Sequence, residues 1–296
     1  MTDGARVTAR QEAVLDAMAD HIVTVARVWD QAVQARLWEP APDSFCTWER
    51  AQLHKKRGPV IDWDDESSQH AVWMSMALLT VSAQQLQGMA ALLRAREVIF
   101  PLAPLSRTIF ETSGHIAWLL DPRPTVRERA ARAFLARVVD MTRGKAAAKE
   151  LSQPMLNSFG DALHQLRKVD LPKRFYPSEV ERTDAGELII AKQRYPGLSA
   201  LMPYLDEVHR HDWNSPGMYS WLSNVSHPTP NVLVVLSARD GDLARVQSPD
   251  AGYPYRICRA GLLAFLRGWG LVYAYLGHNA GPLESLTDAI DELPED

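Results

Sequence analysis

Cysteine is scarce in this chain, because Cys46 and Cys258 are the only two among its 296 residues and stand far apart in sequence. Two distant thiols form no disulfide framework, and no Cys-x-x-Cys pair exists for zinc or redox chemistry. The pattern is typical of ordinary cysteines in a reducing compartment. The sequence also lacks a phosphate loop, a dinucleotide-binding glycine fingerprint and a Gly-x-Ser-x-Gly elbow. It therefore predicts no cofactor and gives no support to a serine hydrolase.

Long uninterrupted apolar runs are missing as well. The two most apolar stretches, VWMSMALLTVSAQQL and CRAGLLAFLRGWGLVYAYLG, are broken by polar or charged residues. Neither supplies the roughly 20 clean apolar residues of a membrane span. The polar start of the chain has no apolar core of the signal-peptide kind. We therefore expect a soluble, cytoplasmic protein that has no membrane partner.

An excess of charge of one sign is also absent, since 32 Lys and Arg stand against 36 Asp and Glu and give a net charge of −4. That balance is a poor footprint for generic nucleic-acid binding, although it leaves room for a local basic patch. Hydrophobic residues make up 46% of the chain and charged residues 23%, which is typical of a globular protein.

What the sequence does contain is helical periodicity, with apolar residues recurring at spacings of three and four. It predicts an all-α, single-domain helical bundle with long antiparallel helices and at most a small β-hairpin. One hairpin signal is Asp240-Gly241, and a separate β-like run covers 188–191. The predicted helices cover residues 9–38, 68–98, 102–120, 124–151, 154–168, 198–210, 216–226 and 254–277, with a short one near the C-terminus.

The single domain predicted over residues 1–296 divides into four stretches. We expect an N-terminal helix and loop, central helices, an irregular connection and C-terminal helices over 9–66, 68–170, 171–215 and 216–296, respectively. The helix over 124–151 is rich in arginine and lysine. Because these charges are distributed around the helix and not along one stripe, they predict a solvated surface.

The segment MYSWLSNVSHPTPN carries a polar stripe on an otherwise apolar helix. Residues four apart share a helix face, so Tyr219, Ser223 and His227 line one side. Pro228 then ends the helix because it lacks a backbone donor. His227 is thereby predicted at the helix C-terminus, where the helix dipole favours an imidazolium.

A second stripe with the same spacing consists of Arg107, Glu111 and His115. Its neighbours are strongly apolar, so these charged groups need partners, because unpaired buried charge is costly. We therefore predict that the two stripes face each other across the bundle. Two interpretations stay open, namely a structural network that fixes helix register and a ligand-binding or catalytic pocket. In the second interpretation Arg107, Glu111 and His227 are candidate catalytic residues, and His115, Tyr219 and Ser223 are candidate binding residues.

A metal site receives only weak support. His209, His211 and Asp212 lie close together in VHRHDWN. A His-x-His pair suits a metal on a strand, but here it falls at a predicted helix end. We therefore expect no metal.

The segments LSRTIFETSGHIAWLLDP and YSWLSNVSHPTP resemble a group of uncharacterised bacterial helical proteins with a HEPN-like core. In that group an Arg…Glu helix is followed by a Tyr-x-x-x-Ser-x-x-x-His helix. The matching positions here are Arg107, Glu111, Tyr219, Ser223 and His227.

Many HEPN-like domains are ribonucleases of toxin–antitoxin or phage-defence systems, and they usually act as dimers. The resemblance therefore implies a homodimer, with RNA as the substrate and His227 as the general acid/base. This chain departs from the ribonuclease motif, because seven residues separate Arg107 from His115 and no arginine shortly precedes His227. We accordingly expect a non-catalytic helical binding module, with a metal-independent ribonuclease or defence effector as the alternative. RNA is an expected partner only under that alternative.

Overall fold

A computed structural model describes residues 9–54, 65–95, 101–206, 214–226 and 252–293, without the side chains of 9–11 and 65–68. The fold is all-α with one small sheet, as predicted. The helices are α1 Ala9–Gln34, α2 Phe45–Leu53, α3 Asp65–Ala95, α4 Leu102–Leu120, α5 Val126–Ala148, α6 Gln153–His164, α7 Leu171–Arg174, α8 Leu198–Asp206, α9 Ser215–Ser226, α10 Gly252–Leu276 and α11 Gly281–Asp291. A π-helical segment, Gln165–Asp170, joins α6 to α7.

Helix α4 lies at the centre of the packing and contacts α3, α5, α8, α9 and α10. Its closest approach is to α10, where small residues face each other. Ser106 lies against Gly261, and Ser113 lies against Gly268 seven residues further along both helices. The Ser106 hydroxyl also donates to the carbonyl of Ile257 at 2.9 Å. This close contact buries α4 on the α10 side and leaves a different face for α8 and α9.

The small sheet consists of three antiparallel strands, β1 Val180–Arg182, β2 Leu188–Ile190 and β3 Gln193–Arg194. A tight turn joins β2 to β3 through two residues with positive φ, Ala191 at 46° and Lys192 at 63°. The β-like run predicted over 188–191 is thus part of a sheet. The hairpin predicted around Asp240 and Gly241 lies outside the described residues.

The loop predicted after the N-terminal helix, within the stretch 9–66, was wrong over part of its length, because α2 occupies Phe45–Leu53. The Ser44 side chain caps this helix by accepting the N–H of Thr47 at 3.2 Å. Cys46 and Glu49 are the buried residues of this helix. A nine-residue helix has too few turns for a clear periodic signal, and tertiary burial stabilises it.

The solvated surface predicted for the arginine-rich helix was wrong for Arg129 and Arg132 on α5, which are 4% and 6% exposed. Both are neutralised by carboxylates from outside the helix. Arg132 donates to Asp121 at 3.1 Å and to the carbonyl of Trp118 at 2.6 Å. Arginines can be buried when every charge has such a partner.

Two of the described helices are long and apolar enough to cross a membrane by length and composition, namely the stretch 69–95 of α3 and the whole of α10. The most apolar window of α10 is 78% buried inside the protein and that of α3 is 39% buried. A core helix of a soluble protein meets the same criterion, so the absence of a membrane partner stays a prediction.

Candidate functional site

A polar cluster from α4 and α9 is built on one carboxylate oxygen. Arg107 Nε donates to Glu111 Oε1 at 2.9 Å, and the Tyr219 hydroxyl donates to the same oxygen at 3.0 Å. Arg107 Nη2 lies 3.5 Å from the Tyr219 hydroxyl, and its guanidinium stands over the tyrosine ring at 5.6 Å from the centroid. The predicted approach of the two stripes is therefore confirmed for these three residues, which we call the α4–α9 cluster.

The local packing explains why α9 meets α4 at this point. Helix α8 lies directly on α4, since a Cβ on Gly114 would stand 3.0 Å from Leu201 Cβ. The last residue of α8, Asp206, accepts the backbone N–H of Ser215 at 2.8 Å. Because Ser215 begins α9, this bond ties the two helices together. The absence of a side chain at Gly114 lets α8 lie close to α4, and the Asp206 carboxylate then helps to place α9 beside α4.

The surroundings of the α4–α9 cluster keep Arg107 charged and Tyr219 neutral near neutral pH. Burial opposes the charge of Arg107, but its bonds to Tyr219 and Glu111 outweigh that effect and raise the pKa of the guanidinium. Burial raises the pKa of Tyr219, and the Glu111 carboxylate raises it further. Both pKa values move away from neutrality. Neither group is thereby suited to exchange a proton at pH 7.

His115 lies on α4 as predicted, but its partners differ from those of the cluster. Its Nδ1 lies 2.9 Å from the backbone oxygen of Glu111, and its Nε2 lies 2.5 Å from the Tyr195 hydroxyl. Since a carbonyl only accepts, Nδ1 carries the proton and Nε2 accepts from Tyr195. Burial lowers the pKa of His115, so the imidazole is neutral at pH 7. Both ring nitrogens are therefore occupied by structural bonds.

The remaining predicted site residues are less closely placed. Ser223 lies one turn after Tyr219 on α9 and is half-buried. His227 lies outside the described residues, as do His209, His211 and Asp212. Within the described ranges, no group of three or more His, Cys, Asp and Glu side chains is arranged to hold a metal ion.

A second buried cluster, which the sequence did not predict, is formed by Glu49 of α2, Arg129 of α5 and Tyr275 of α10. Arg129 Nε lies 3.1 and 3.2 Å from the two carboxylate oxygens, and the Tyr275 hydroxyl donates to Oε2 at 2.6 Å. The Arg129 guanidinium also stands 4.6 Å from the centroid of the Phe45 ring. These bonds join three helices that are distant in sequence.

Burial raises the pKa of Glu49, although Arg129 and Tyr275 oppose that shift. A cavity of about 20 Å³ adjoins the three side chains, which is room for about one water molecule. Because this volume is too small for an organic ligand, we interpret the cluster as a structural link between the three helices. A signal was present for Arg129 and Arg132, since both stand among the apolar residues of ERAARAFLAR. No comparable signal marks Glu49.

Comparison with known proteins adds no relative. No family model matches this chain, and no curated protein or solved structure matches it. The residues of the α4–α9 cluster therefore carry the functional argument.

Proposed function

We propose that this protein is a non-catalytic binding module whose site is the α4–α9 cluster. One observation carries the proposal: Arg107 and Tyr219 converge on a single oxygen of Glu111, and the Arg107 and Glu111 side chains are each 21% exposed. The cluster therefore keeps an edge in solvent, where a ligand can reach it.

The unused hydrogen-bonding capacity of the cluster indicates the ligand chemistry. Within the described residues, Glu111 Oε1 accepts two bonds, whereas Oε2 accepts none. The Ser223 hydroxyl, one turn from Tyr219, likewise has no hydrogen bond to a described residue. Because Arg107 and Glu111 neutralise each other, the net charge of the three cluster residues is zero. A small, polar, uncharged or zwitterionic ligand that donates hydrogen bonds fits this site best.

The non-catalytic assignment rests on proton chemistry. A general acid or base works best with a pKa near the working pH. The pKa values of Arg107 and Tyr219 are both raised away from that range, and the two nitrogens of His115 are occupied. The ribonuclease alternative would need His227, which lies outside the described residues.

A thermal-shift screen tests the proposal with free amino acids, carboxamides and polyols as probes. We expect at least one probe to raise the melting temperature of the wild-type protein and to lose that effect in Glu111→Gln. Arg36→Gln is the matched control, because it removes an exposed ion pair with Glu39 on the surface and should leave the probe effect unchanged.

Two results would count against a binding module. The first is a probe effect that survives in Glu111→Gln, which would place the ligand elsewhere. The second is cleavage of a single-stranded RNA by the wild-type protein that is lost in a folded His227→Ala variant, which would favour the ribonuclease.

A further inference from the structure

One face of helix α3 is exposed to solvent and carries no charge. Between Glu66 and Arg94 the chain has no Asp, Glu, Lys or Arg. Exposed residues recur along this stretch at alternating spacings of four and three, and we call them the α3 stripe: Trp73, Ala77, Thr80, Gln84, Gln87 and Ala91. Such spacings return to the same side of a helix. At 1.5 Å per residue, the stripe is about 27 Å long.

Helix α1, which contacts α3, shows the more usual character of an exposed helix face. Its charged exposed residues are Asp16, Asp20, Arg27 and Asp30. A surface helix normally presents such groups to water. On α3, by contrast, Trp73 and Val81 are each 47% exposed, and the most apolar window of the helix is only 39% buried. Exposed apolar patches of this kind mark interaction surfaces, where tryptophan is enriched.

The order of side chains along the α3 stripe is complementary to itself when reversed. The six positions are symmetric about residue 82, so a twofold axis at that point would place each position opposite another position of the stripe on a second, antiparallel α3. The facing pairs are Trp73 with Ala91, Gln87 with Ala77, and Gln84 with Thr80. In each pair a larger side chain meets a smaller one, which fills the space between two helices. No like charges meet, because the stripe has no charge.

We propose that a second copy of this chain docks on the α3 stripe and forms a dimer through an antiparallel pair of α3 helices. Spacings of four and three are those of paired helices that pack side by side. A single helix pair buries less than the standard interface of about 1,600 Å². We therefore expect a reversible dimer with a dissociation constant in the micromolar range. The surface uses no residue of the α4–α9 cluster, so it is independent of the proposed ligand site.

The composition of the α3 stripe favours a protein over a lipid surface as its partner. A helix that lies in a membrane interface presents Lys and Arg beside its apolar face. The only Lys or Arg of α3 is Arg94, which is paired with Asp20 at 2.6 Å. The amides of Gln84 and Gln87 would lose their hydrogen bonds in hydrocarbon. Across a helix pair they can bond to polar side chains of the second copy.

Sedimentation equilibrium at protein concentrations from about 1 to 200 μM tests the proposal, because this range brackets a micromolar dissociation constant. We expect the wild-type protein to dimerise reversibly and Trp73→Glu to raise the dissociation constant at least about tenfold. Leu151→Glu is the matched control, since it places the same charge at another exposed apolar residue, 69% exposed and outside α3. It should dimerise like the wild type. A wild-type monomer at all concentrations, or unchanged dimerisation of Trp73→Glu, overturns the proposal.

The melting temperature of the dilute variants tests whether another part of the same chain covers the α3 stripe. Because Trp73 is exposed, Trp73→Glu and Leu151→Glu should melt at the same temperature at the lowest concentration. A large drop confined to Trp73→Glu would show that residues outside the described ranges pack on the stripe and would overturn the proposal.

Paired charges at the centre of the α3 stripe test whether two copies meet there. A double variant with Thr80→Glu and Gln84→Glu should be monomeric, as should one with Thr80→Lys and Gln84→Lys, because like charges then face each other. An equimolar mixture of the two should form a heterodimer, since each glutamate then faces a lysine. A mixture that stays monomeric overturns the proposal.

Disulfide trapping tests the antiparallel register. Ala77→Cys and Gln87→Cys are prepared separately; the natural Cys46 and Cys258 are both buried. Under mild oxidation the mixture should cross-link several-fold faster than either variant alone. In each variant alone, the two new cysteines lie ten residues, about 15 Å, apart along the helix axis, too far for a disulfide. Equal rates in the mixture and in the single variants contradict the pairing and overturn the proposal.

Vesicles of phosphatidylcholine and phosphatidylglycerol test the lipid surface as the competing partner. We expect the wild-type protein to stay in the supernatant when the vesicles are pelleted. Co-sedimentation that is lost in Trp73→Glu but kept in Leu151→Glu would assign the α3 stripe to a membrane surface and overturn the proposal.

Discussion

His115 shows how burial fixes the state of a single polar side chain in this protein. Its ring bridges the backbone of α4 and the Tyr195 hydroxyl, and Tyr195 in turn packs edge-on against Trp118 at 5.5 Å between centroids. The neutral imidazole accepts the tyrosine proton at Nε2, and protonation of the ring would remove that acceptor and reverse the bond. The same residue is therefore a structural link and a source of pH dependence.

We predict that acid weakens the fold in the range where histidines titrate. Burial lowers the pKa of both His115 and His21 from 6.5, so between pH 6.5 and each lowered value the unfolded chain binds more protons than the folded one. The two neutral histidines therefore contribute fully to the free energy of unfolding above pH 6.5, and this contribution is lost as the pH falls. Urea unfolding at steps from pH 7.5 to 5.5 should show the decline, with a shallower slope in His115→Gln. Equal slopes in the two proteins would refute the role of His115.

At the residue scale, the sequence revealed side chains that share a helix face and missed those that meet across loops. Arg107 and Glu111 stand four apart on an apolar helix, as do Tyr219 and Ser223, and helical geometry alone aligns each pair. Glu49 and Arg129 are separated by 79 intervening residues and carry no shared spacing. Only packing brings them together, which explains why sequence reasoning did not find their ion pair.

At the element scale, the contact between α4 and α10 depends on small residues. Gly261 and Gly268 stand seven apart on α10, opposite Ser106 and Ser113 on α4. A seven-residue spacing returns to nearly the same helix face, so two helices that match in this spacing can approach closely. The predicted bounds of α4 and α10 were accurate because prolines or glycines stand near their ends.

We predict that Gly261→Ala destabilises the protein by about 1–2 kcal/mol, because overpacking outweighs the gain in helix propensity. The new Cβ would stand 2.9 Å from Ser106 Oγ and 3.3 Å from Ser106 Cα, and a backbone atom cannot move aside cheaply. Gly270→Ala on the same helix is the control, since its nearest neighbour is Leu283 Cδ1 at 4.0 Å. That variant should be neutral or up to about 1 kcal/mol more stable. Denaturant unfolding measures both; equal effects would contradict the close helix contact.

Helix α2 and the π-helical segment mark the limit of prediction at this scale. The first is short and is stabilised by its cap and by the bonds of Glu49 to Arg129 and Tyr275. The second arises where Pro172 withholds a donor, an effect that shifts hydrogen bonds without changing the hydrophobic pattern. Periodicity finds long amphipathic helices, whereas these two features depend on single residues and their tertiary partners.

For the whole molecule, the composition predicted the class of fold but left the arrangement of helices open. An apolar periodic chain needs a bundle to bury its stripes. Which helix lies at the centre follows from residue size, since α4 meets α10 through serine and glycine and meets α8 through Gly114. This central position brings α9 to the exposed edge of α4, where the α4–α9 cluster forms.

The most direct test of this account is a double-mutant cycle on Glu111 and Tyr219, measured by denaturant unfolding of Glu111→Ala, Tyr219→Phe and the double variant. Because the hydroxyl and the carboxylate share a hydrogen bond of 3.0 Å, we predict a coupling energy of about 1 kcal/mol. A control cycle that pairs Tyr219→Phe with Glu284→Ala, an exposed site on α11, should be additive within about 0.5 kcal/mol. Additivity in the first cycle as well would show that α4 and α9 do not meet through these side chains and would remove the proposed site.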